Sequence, residues 1–337
     1  MNEPLLSVRD LRVTLPGGRG GALPVVRGLS FDVHPGEALA LIGESGAGKS
    51  MAARAVLGTA PHGATVTGSV RLRERELLGA RPRDLRAVRG RRVSLIPQDA
   101  LSVLSPVHTV GTQLVKALRA NRRLSRARAH ELAVAALDRV GIPDAARRAR
   151  AYPHEFSGGM RQRAVIAMAT VNEPEVVFAD EPTTALDPLT GRLVLDLLAD
   201  LRRRTGTALV LITHDLAVVR GHADRVVVAY AGRHVESGPA DRVLTAPRAP
   251  YTAGLAAAVP PEDATDRRLP AIGGSPPSPS DLPPGCAFAP RCPLADAHCR
   301  AVAPEPVTTG ESGHLVSCHR WHDVPVPAHT LFARAAT

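Results

Sequence analysis

The stretch "GESGAGKS", Gly43 to Ser50, decides the fold of this chain. It matches the pattern GxxxxGK(S/T), follows the apolar run "EALALIG" and precedes the helix-like "MAARAVLG". In this context glycines let backbone N–H groups surround phosphate oxygens, while the lysine reaches the β- and γ-phosphates and the serine binds Mg²⁺. We therefore expect a nucleoside triphosphate site. Its predicted residues are Gly43, Glu44, Ser45, Gly46, Ala47, Gly48, Lys49 and Ser50.

A second motif, "VVFADEP", supplies acidic groups at Val176 to Pro182. Its apolar residues predict a buried strand that ends at Asp180, whose carboxylate is placed to bind Mg²⁺. Glu181 follows directly and is placed to polarise a water molecule for attack on the γ-phosphate. An acidic pair after a strand is by itself more often a helix cap, but together with the glycine loop it favours a nucleotide hydrolase.

Strand and helix patterns alternate along the chain, which predicts an α/β fold with a parallel sheet. Residues 188–204 have a helical pattern, and a helical period also extends from about Thr109 to Met168. The first strand pattern alternates polar and apolar residues and predicts a sheet with one face exposed to solvent. The predicted strands are residues 5–15, 25–33, 37–43, 65–73, 91–97, 175–180, 207–213 and 224–230.

Composition indicates a globular protein, with 44% hydrophobic and 22% charged residues. The formal net charge of +10 raises the possibility of a nucleic-acid partner. The basic residues are nearly all Arg and scattered, and aromatic content is only 3%, so solvated faces are the favoured explanation and base stacking is disfavoured. No apolar run approaches the length of a membrane span and no signal sequence is recognisable, so we expect a cytoplasmic protein.

The stretch "FSGGMRQR", Phe156 to Arg163, resembles the LSGGQ signature of the ABC ATPases. Four other motifs stand in the order of that family: the glycine loop, "PQD" with Gln98, "ADEPTTALD" ending at Asp187, and "ITHD" with His214. The resemblance implies an ABC-type P-loop nucleotide-binding domain. This fold has a parallel RecA-like core, an antiparallel β subdomain and a helical insertion, expected here at about residues 105–170.

The resemblance also assigns roles. Glu181 and His214 would act in hydrolysis together with Gln98, which would sense the γ-phosphate, and Ser50, Gln98 and Asp180 would hold Mg²⁺. Asp187 would link two sites across a dimer, since in this family the signature of one nucleotide domain closes on the ATP of the other. The signature residues Ser157, Gly158 and Gly159 would bind the γ-phosphate at a helix N-terminus. The family's adenine-stacking aromatic is absent, so aliphatic surface is expected, such as Leu15 or Val26.

The tail resembles that of the oligopeptide and dipeptide importers. "APRAPYT" is similar to their HPYT segment, with Ala249 in place of the usual His, and "PGCAFAPRCPLADAHC" is similar to their cysteine region. The resemblance implies an ATPase subunit of a peptide importer. It would work with a second ATPase subunit, identical or not, two transmembrane permeases and, indirectly, a solute-binding protein. It would lie at the cytoplasmic face of the membrane, with no nucleic-acid partner.

Two alternatives remain open at this stage. One is a soluble ABC ATPase that acts on ribosomes or nucleic acid, although such proteins usually carry two nucleotide domains or a long coiled coil. The other is an importer of nickel or glutathione. We expect a nucleotide-binding domain over residues 1–245 and a Pro- and Cys-rich C-terminal extension over residues 246–337.

All four cysteines lie in this extension, at Cys286, Cys292, Cys299 and Cys318. Cytosolic disulfides are rare, and a Pro-rich segment with little core of its own favours a metal that holds it together. No CxxC pair of the kind typical of structural zinc is present. We therefore expect a 4Fe-4S cluster. Zinc, with His298 or His319, and free thiols are the alternatives.

Overall fold

The computed structural model describes residues 3–17, 21–184, 186–258 and 271–332. The strands in chain order are β1 Leu6–Pro16, β2 Ala22–Val33, β3 Ala38–Ile42, β4 Thr65–Leu72, β5 Arg75–Glu76, β6 Val93–Ile96, β7 Val176–Asp180, β8 Ala208–Thr213, β9 Arg225–Tyr230, β10 Arg233–Pro239, β11 Val307–Thr308 and β12 Leu315–Val316. The helices are α1 Lys49–Val56, α2 Pro82–Val88, α3 Val110–Asn121, α4 Arg126–Arg139, α5 Ala145–Arg148, α6 Gly158–Thr170, α7 Pro188–Thr205, α8 Leu216–Val219, α9 Ala240–Thr245, α10 Pro250–Ala257 and α11 Ala297–Ala301.

The chain forms two compact units, of which the first contains residues 1–5, 33–37 and 79–212. Its strands β6, β7 and β8 pair in parallel, with Val93 opposite Val176 and Val176 opposite Ala208. Every residue of β7 and β8 is buried, as expected for a parallel sheet that is covered on both faces. The short apolar runs of the sequence therefore become central strands.

Helices α3 to α6 form the predicted helical insertion of the first unit. Their apolar stripes bury Leu114, Leu118 and Leu137 completely. Side-chain oxygens cap several helix starts: Thr109 accepts from the N–H of Thr112 and Ser125 from that of Arg128, and Ser157 does the same for α6. These local signals explain why the helices begin where they do.

The second unit contains residues 6–32, 38–78 and 213–337. One sheet of four strands has the order β2-β1-β4-β5, and β1 pairs with β4 antiparallel. Another set of strands runs in the order β11-β12-β10-β9-β3, where β3 and β9 are parallel and β9 and β10 antiparallel. The loop of Gly43–Gly48 links β3 to α1, which places the phosphate motif at the carboxyl end of a buried strand.

The tail packs into the core of this second unit. Tyr251 and Phe288 belong to the same buried cluster as Val228 and Tyr230 of β9. The ring centroids of Tyr230 and Tyr251 are 4.6 Å apart, and that of Phe288 lies 5.4 Å and 5.2 Å from them. The composition of the tail does not reveal this packing, because it depends on three aromatic residues spread along the sequence.

The structure places strands at each of the segments where the sequence predicted them, and a helix at Pro188–Thr205 where residues 188–204 were predicted. The predicted antiparallel sheet, parallel strands and helical insertion are therefore present. β10 was not predicted; it pairs with β9 after a tight turn at Ala231 and Gly232. Within the described part of the chain, every helix is too short or too polar for a bilayer crossing.

Candidate functional site

At Gly43 and Gly48 the phosphate loop combines a backbone that only glycine adopts easily with close backbone neighbours. Gly43 has φ of 153° and Gly48 has φ of 87°. A side chain would also collide with backbone at both: a Cβ on Gly43 would overlap the carbonyl oxygen of Ala229, and one on Gly48 would lie 2.6 Å from that of Val25. Gly43 and Gly48 are thus required by both conformation and space.

Lys49, at the start of α1, lies inside the turn of this loop. Its side chain is buried, and its Nζ donates to the carbonyl oxygens of Gly43 at 2.7 Å and Glu44 at 3.0 Å. An ammonium group that is held by its own loop is available to a phosphate oxygen entering the same turn. Ser50 follows on α1 and is half-buried. Of the residues proposed to contact adenine, Val26 is buried and Leu15 is partly exposed.

The acidic motif in the first unit takes the predicted position at the end of β7. Asp180 is buried at 4% exposure, and Glu181 follows with φ of 45°, an unusual backbone for a residue with a side chain. Oε2 of Glu181 accepts from Nε2 of Gln98 at 2.9 Å and from Oγ1 of Thr184 at 2.8 Å. The structure thus joins Glu181 and Gln98, which lie 83 positions apart and were predicted separately.

The signature segment forms the exposed start of α6. Ser157 is its N-cap, with Oγ accepting from the N–H of Met160 at 3.3 Å, and both Ser157 and Gly158 are exposed. A Cβ on Gly158 would meet no heavy atom within 4 Å, whereas one on Gly159 would lie 2.8 Å from Cγ2 of Thr190. A hydrogen bond anchors α6 on its buried face: Nε2 of Gln162 donates to the carbonyl oxygen of Pro182 at 3.0 Å. An open helix N-terminus therefore faces solvent.

Asp187 lies directly before α7, and His214 lies directly after β8. Asp187 caps α7, and hydrogen bonds from the backbone N–H and the side chain of Thr190 lower the pKa of its carboxyl. His214 is exposed in the short connection after β8. The neighbouring Asp215 caps α8 by accepting from the N–H of Ala217. Both predicted residues are accessible, and their predicted roles remain predictions.

The four cysteines line one cavity of about 50 Å³ in the second unit. Burial raises the pKa of the Cys292 thiol to about 11 and that of Cys318 to about 12. Within the described ranges of the chain, no three side chains of His, Cys, Asp or Glu stand in a metal-binding arrangement. The predicted 4Fe-4S cluster and its zinc alternative are therefore not supported by the side-chain geometry.

Two family models match the sequence. The model described as ABC transporter covers residues 26–184, and the model described as oligopeptide/dipeptide transporter, C-terminal region, covers residues 235–299. Among curated proteins, the oligopeptide transport ATP-binding protein OppD of Mycobacterium tuberculosis is 47% identical over 94% of this chain. That match covers 52% of OppD, so the chain spans about half the length of this relative.

Two further relatives match over most of their length. The dipeptide transport ATP-binding protein DppD of Bacillus subtilis is 42% identical, and OppD of Escherichia coli is 43% identical. Each alignment covers 94% of both proteins. The chain belongs to the ABC transporter family, in the group of oligopeptide and dipeptide ATP-binding proteins. The family resemblance inferred from the motifs is thus confirmed.

Solved structures agree on the fold of an ABC protein. The ATP-binding cassette MJ0796, in a dimeric post-hydrolysis state bound to ADP and Pi, matches with a TM-score of 0.63 at 24% identity. The match covers 70% of this chain and 98% of the cassette. The predicted ABC-type fold is therefore confirmed for the part of the chain that resembles a cassette.

Sequence reasoning missed one contact of this ABC protein with the phosphate loop. Arg291, next to Cys292 in the tail, forms an ion pair with Glu44 of the loop at 2.6 Å. These residues lie 247 positions apart, so no local pattern joins them. The available signal was an acidic residue inside a phosphate-binding motif, because a nearby cation favours a carboxylate that lies beside other negative groups.

Proposed function

We propose that this chain is the ATP-hydrolysing subunit of an importer that carries dipeptides or oligopeptides into the cell. The main support for ATP binding is the phosphate loop of Gly43–Ser50, in which the Lys49 side chain donates to the carbonyl oxygens of Gly43 and Glu44. The names of the relatives, which describe dipeptide and oligopeptide transport, support the cargo class. Nothing in the described residues favours a soluble ABC ATPase of ribosomes or nucleic acid, or nickel or glutathione as cargo.

In this proposal ATP and Mg²⁺ bind at the phosphate loop, with Ser50, Asp180 and Gln98 as the metal ligands. Glu181 polarises the attacking water, and His214 holds the γ-phosphate. The hydrogen bonds from Gln98 and Thr184 to Glu181 support its role, because they hold the carboxylate in one orientation. They also connect the proposed base to the segment that begins the helical insertion.

The proposed partners are a second ATPase subunit and two permeases at the cytoplasmic face of the membrane, with a solute-binding protein acting indirectly. The exposed helix N-terminus at Ser157 and Gly158 supports closure onto a nucleotide held by the second ATPase. The segment Asp99–Pro106 is proposed to receive a cytoplasmic helix of a permease, and the exposed apolar side chain of Val107, which follows it at 75% exposure, supports this. Residues 1–245 form the proposed nucleotide domain, and residues 246–337 the extension.

The test is purification of the tagged chain from detergent-solubilised membranes under anaerobic conditions, followed by mass spectrometry. Two permeases and a second ATPase are expected to purify with it, and the associated solute-binding protein would identify the cargo. The Lys49→Ala variant provides the control for nucleotide-dependent assembly. Ribosomal or DNA-bound proteins without any permease would overturn the transport function.

We further propose that the four cysteines hold a metal group, with a 4Fe-4S cluster favoured over zinc. The four thiols line one cavity, and this shared cavity is the only support, since the described side chains form no metal-binding arrangement. Such a group would supply positive charge to the thiolates and fix the tail. In anaerobically purified protein we expect about four irons per chain, and much less metal in the Cys292→Ser variant. Equal metal content in both would contradict the proposal.

A further inference from the structure

The guanidinium group of Arg291 uses all of its donors around the phosphate loop. Nη1 donates to Oε2 of Glu44 at 2.6 Å and to the hydroxyl of Tyr230 at 3.0 Å. Nη2 donates to Oε1 of Glu44 at 2.9 Å and, at 3.5 Å, to the carbonyl oxygen of Ile272. Nε donates to the carbonyl oxygen of Gly273 at 2.8 Å. Five N–H groups thus meet five acceptors, and the pair with Glu44 is bidentate.

This contact is sheltered from solvent. The side chain of Arg291 is 5% exposed and that of Glu44 is 26% exposed. The guanidinium carbon also lies 5.8 Å from the ring centroids of Tyr230 and Phe288. Exposed ion pairs contribute little because water and salt screen them, but a bidentate pair in this setting fixes the geometry of both partners.

Glu44 is consequently held by three different groups. Arg291 binds its carboxylate, the hydroxyl of Tyr251 accepts from its backbone N–H at 2.8 Å, and Lys49 donates to its carbonyl oxygen. Two of the three groups, Arg291 and Tyr251, come from the tail. The conformation of the phosphate loop at this position therefore depends on residues that follow the nucleotide motifs in the sequence.

The same arginine places the Pro-rich segment beside the loop. It holds the backbone at Ile272 and Gly273, just before that segment. A cavity of about 190 Å³ is lined by loop and segment together. Its lining residues are Glu44, Ser45, Gly46, Ala47, Tyr230, Ala231, Pro276, Pro277 and Pro279.

We propose that Arg291 is a positioning residue for nucleotide binding: acting through Glu44, it holds the phosphate loop in the conformation that accepts ATP and makes this conformation depend on the cysteine-bearing tail. The proposal rests on the proposed function, since it assumes that ATP binds at Gly43–Ser50. A loop that is in the binding conformation only part of the time binds its ligand more weakly, in proportion to that fraction. Arg291 does not touch the reacting atoms.

The experiment measures binding of ATP with Mg²⁺ to the full-length chain by calorimetry, together with the kcat and KM of ATP hydrolysis. For Arg291→Ala we expect the Kd and KM for ATP to rise roughly tenfold, with kcat within about twofold of the unchanged chain. Arg291→Lys keeps the positive charge but loses the planar guanidinium group that binds both carboxylate oxygens of Glu44. It should therefore give an intermediate Kd. Glu44→Ala breaks the contact from the loop side and should weaken binding to the same extent as Arg291→Ala.

The double variant, Arg291→Ala with Glu44→Ala, tests whether the two residues act through their contact with each other. The Kd of the double variant for ATP should be no higher than that of either single variant. If the two residues acted independently, their separate increases in Kd would multiply. Arg320→Ala is the matched control, because Arg320 pairs with Asp296 and Asp323 in the same tail and not with the phosphate loop. It should leave the Kd unchanged. If Arg291→Ala does not fold, Glu44→Ala and the Lys variant decide the question.

The outcomes separate the two proposals. If the unchanged chain binds ATP, Lys49→Ala does not, and the Arg291 and Glu44 variants bind as tightly as the unchanged chain, the positioning role is wrong and the ATPase proposal stands. A loss of thermal stability in Arg291→Ala with an unchanged Kd would show a purely structural role and likewise overturn it. If the unchanged chain fails to bind ATP, the proposed function fails, and the positioning role falls with it.

Discussion

At the scale of single residues, Glu181 combines an unusual backbone with a fixed carboxylate. Its φ of 45° turns the chain sharply after β7, and its N–H donates to the carbonyl oxygen of Ile212 at 2.9 Å. Strained backbone of this kind persists where the surroundings hold it, and it is concentrated at functional sites. The strain supports the proposed role of Glu181 independently of the motif.

Glu181→Gln is expected to lower the rate of ATP hydrolysis at least 100-fold while ATP binding is retained. The amide oxygen of Gln can still accept from Gln98 and Thr184, but it is too weak a base to polarise water. The measurement is steady-state hydrolysis by the complex with its permeases, alongside calorimetric binding of ATP. Glu131→Gln, at an exposed position of α4, is the control. Normal turnover in the Glu181 variant would show that another group is the base or that the partner's site carries the activity.

His234 is a second residue with a testable consequence. Burial lowers the pKa of its imidazole from 6.5 to about 4, and its two nitrogens face the hydroxyls of Ser317 and Ser237 at 2.8 and 2.9 Å. Protonation of His234 is less favourable in the folded state than in the unfolded state. Its contribution to the free energy of unfolding is therefore complete above pH 6.5 and is lost as the pH falls toward 4. The free energy of unfolding should fall by about 1–2 kcal/mol between pH 7 and pH 5.

This loss should be smaller in His234→Gln than in the unchanged chain, whereas His62→Gln, at an exposed position, should behave as the unchanged chain does. Urea denaturation followed by circular dichroism at pH 7, 6 and 5 provides the comparison. Identical pH dependence in all three proteins would mean that His234 is not the group that titrates.

At the scale of elements, the two glycines that begin α6 have different surroundings. Gly159 packs against α7, so alanine there would push against Thr190, whereas the space around Gly158 is open. Gly159→Ala should therefore reduce the free energy of unfolding by about 1–3 kcal/mol. Gly158→Ala should leave it unchanged or slightly higher, since alanine favours helix.

Hydrolysis distinguishes the two glycines further. Gly158→Ala should still lose most ATP hydrolysis in the assembled complex, because the methyl group would occupy the approach to the γ-phosphate of the partner's nucleotide. Thermal unfolding and hydrolysis measured on the same preparations make the comparison. If Gly158→Ala keeps full hydrolysis, the exposed helix start does not serve as a phosphate site.

At the scale of the whole molecule, the tail contributes to the core of the second unit. Phe288, 5% exposed, contacts the rings of Tyr230 and Tyr251. Phe288→Ala should lower the free energy of unfolding by about 3–5 kcal/mol. Val326→Ala, at a side chain that is 86% exposed, is the control and should change little. Denaturant titration measures both, and equal stabilities would mean that the tail packs outside this core.

Much of the fold could be predicted because its signals are local. The buried strand "VVFAD" and the helix of Pro188–Thr205 each carry their pattern within one continuous stretch, and the phosphate loop follows from eight consecutive residues. The structure of the tail was harder to predict from the sequence. The four cysteines predicted a metal group, and the thiols line one cavity, but the described side chains show no metal-binding arrangement, which depends on tertiary packing and not on spacing along the chain.

The sequence by itself determined the family, the phosphate loop and the residues proposed for hydrolysis, because these depend on residue types at short, regular intervals. Only the tertiary structure joined Gln98 to Glu181, packed Gly159 against Thr190 and brought Arg291 to Glu44. Such contacts depend on how distant segments pack, and hydrogen bonds and van der Waals contacts act over a few ångströms of space regardless of separation along the chain.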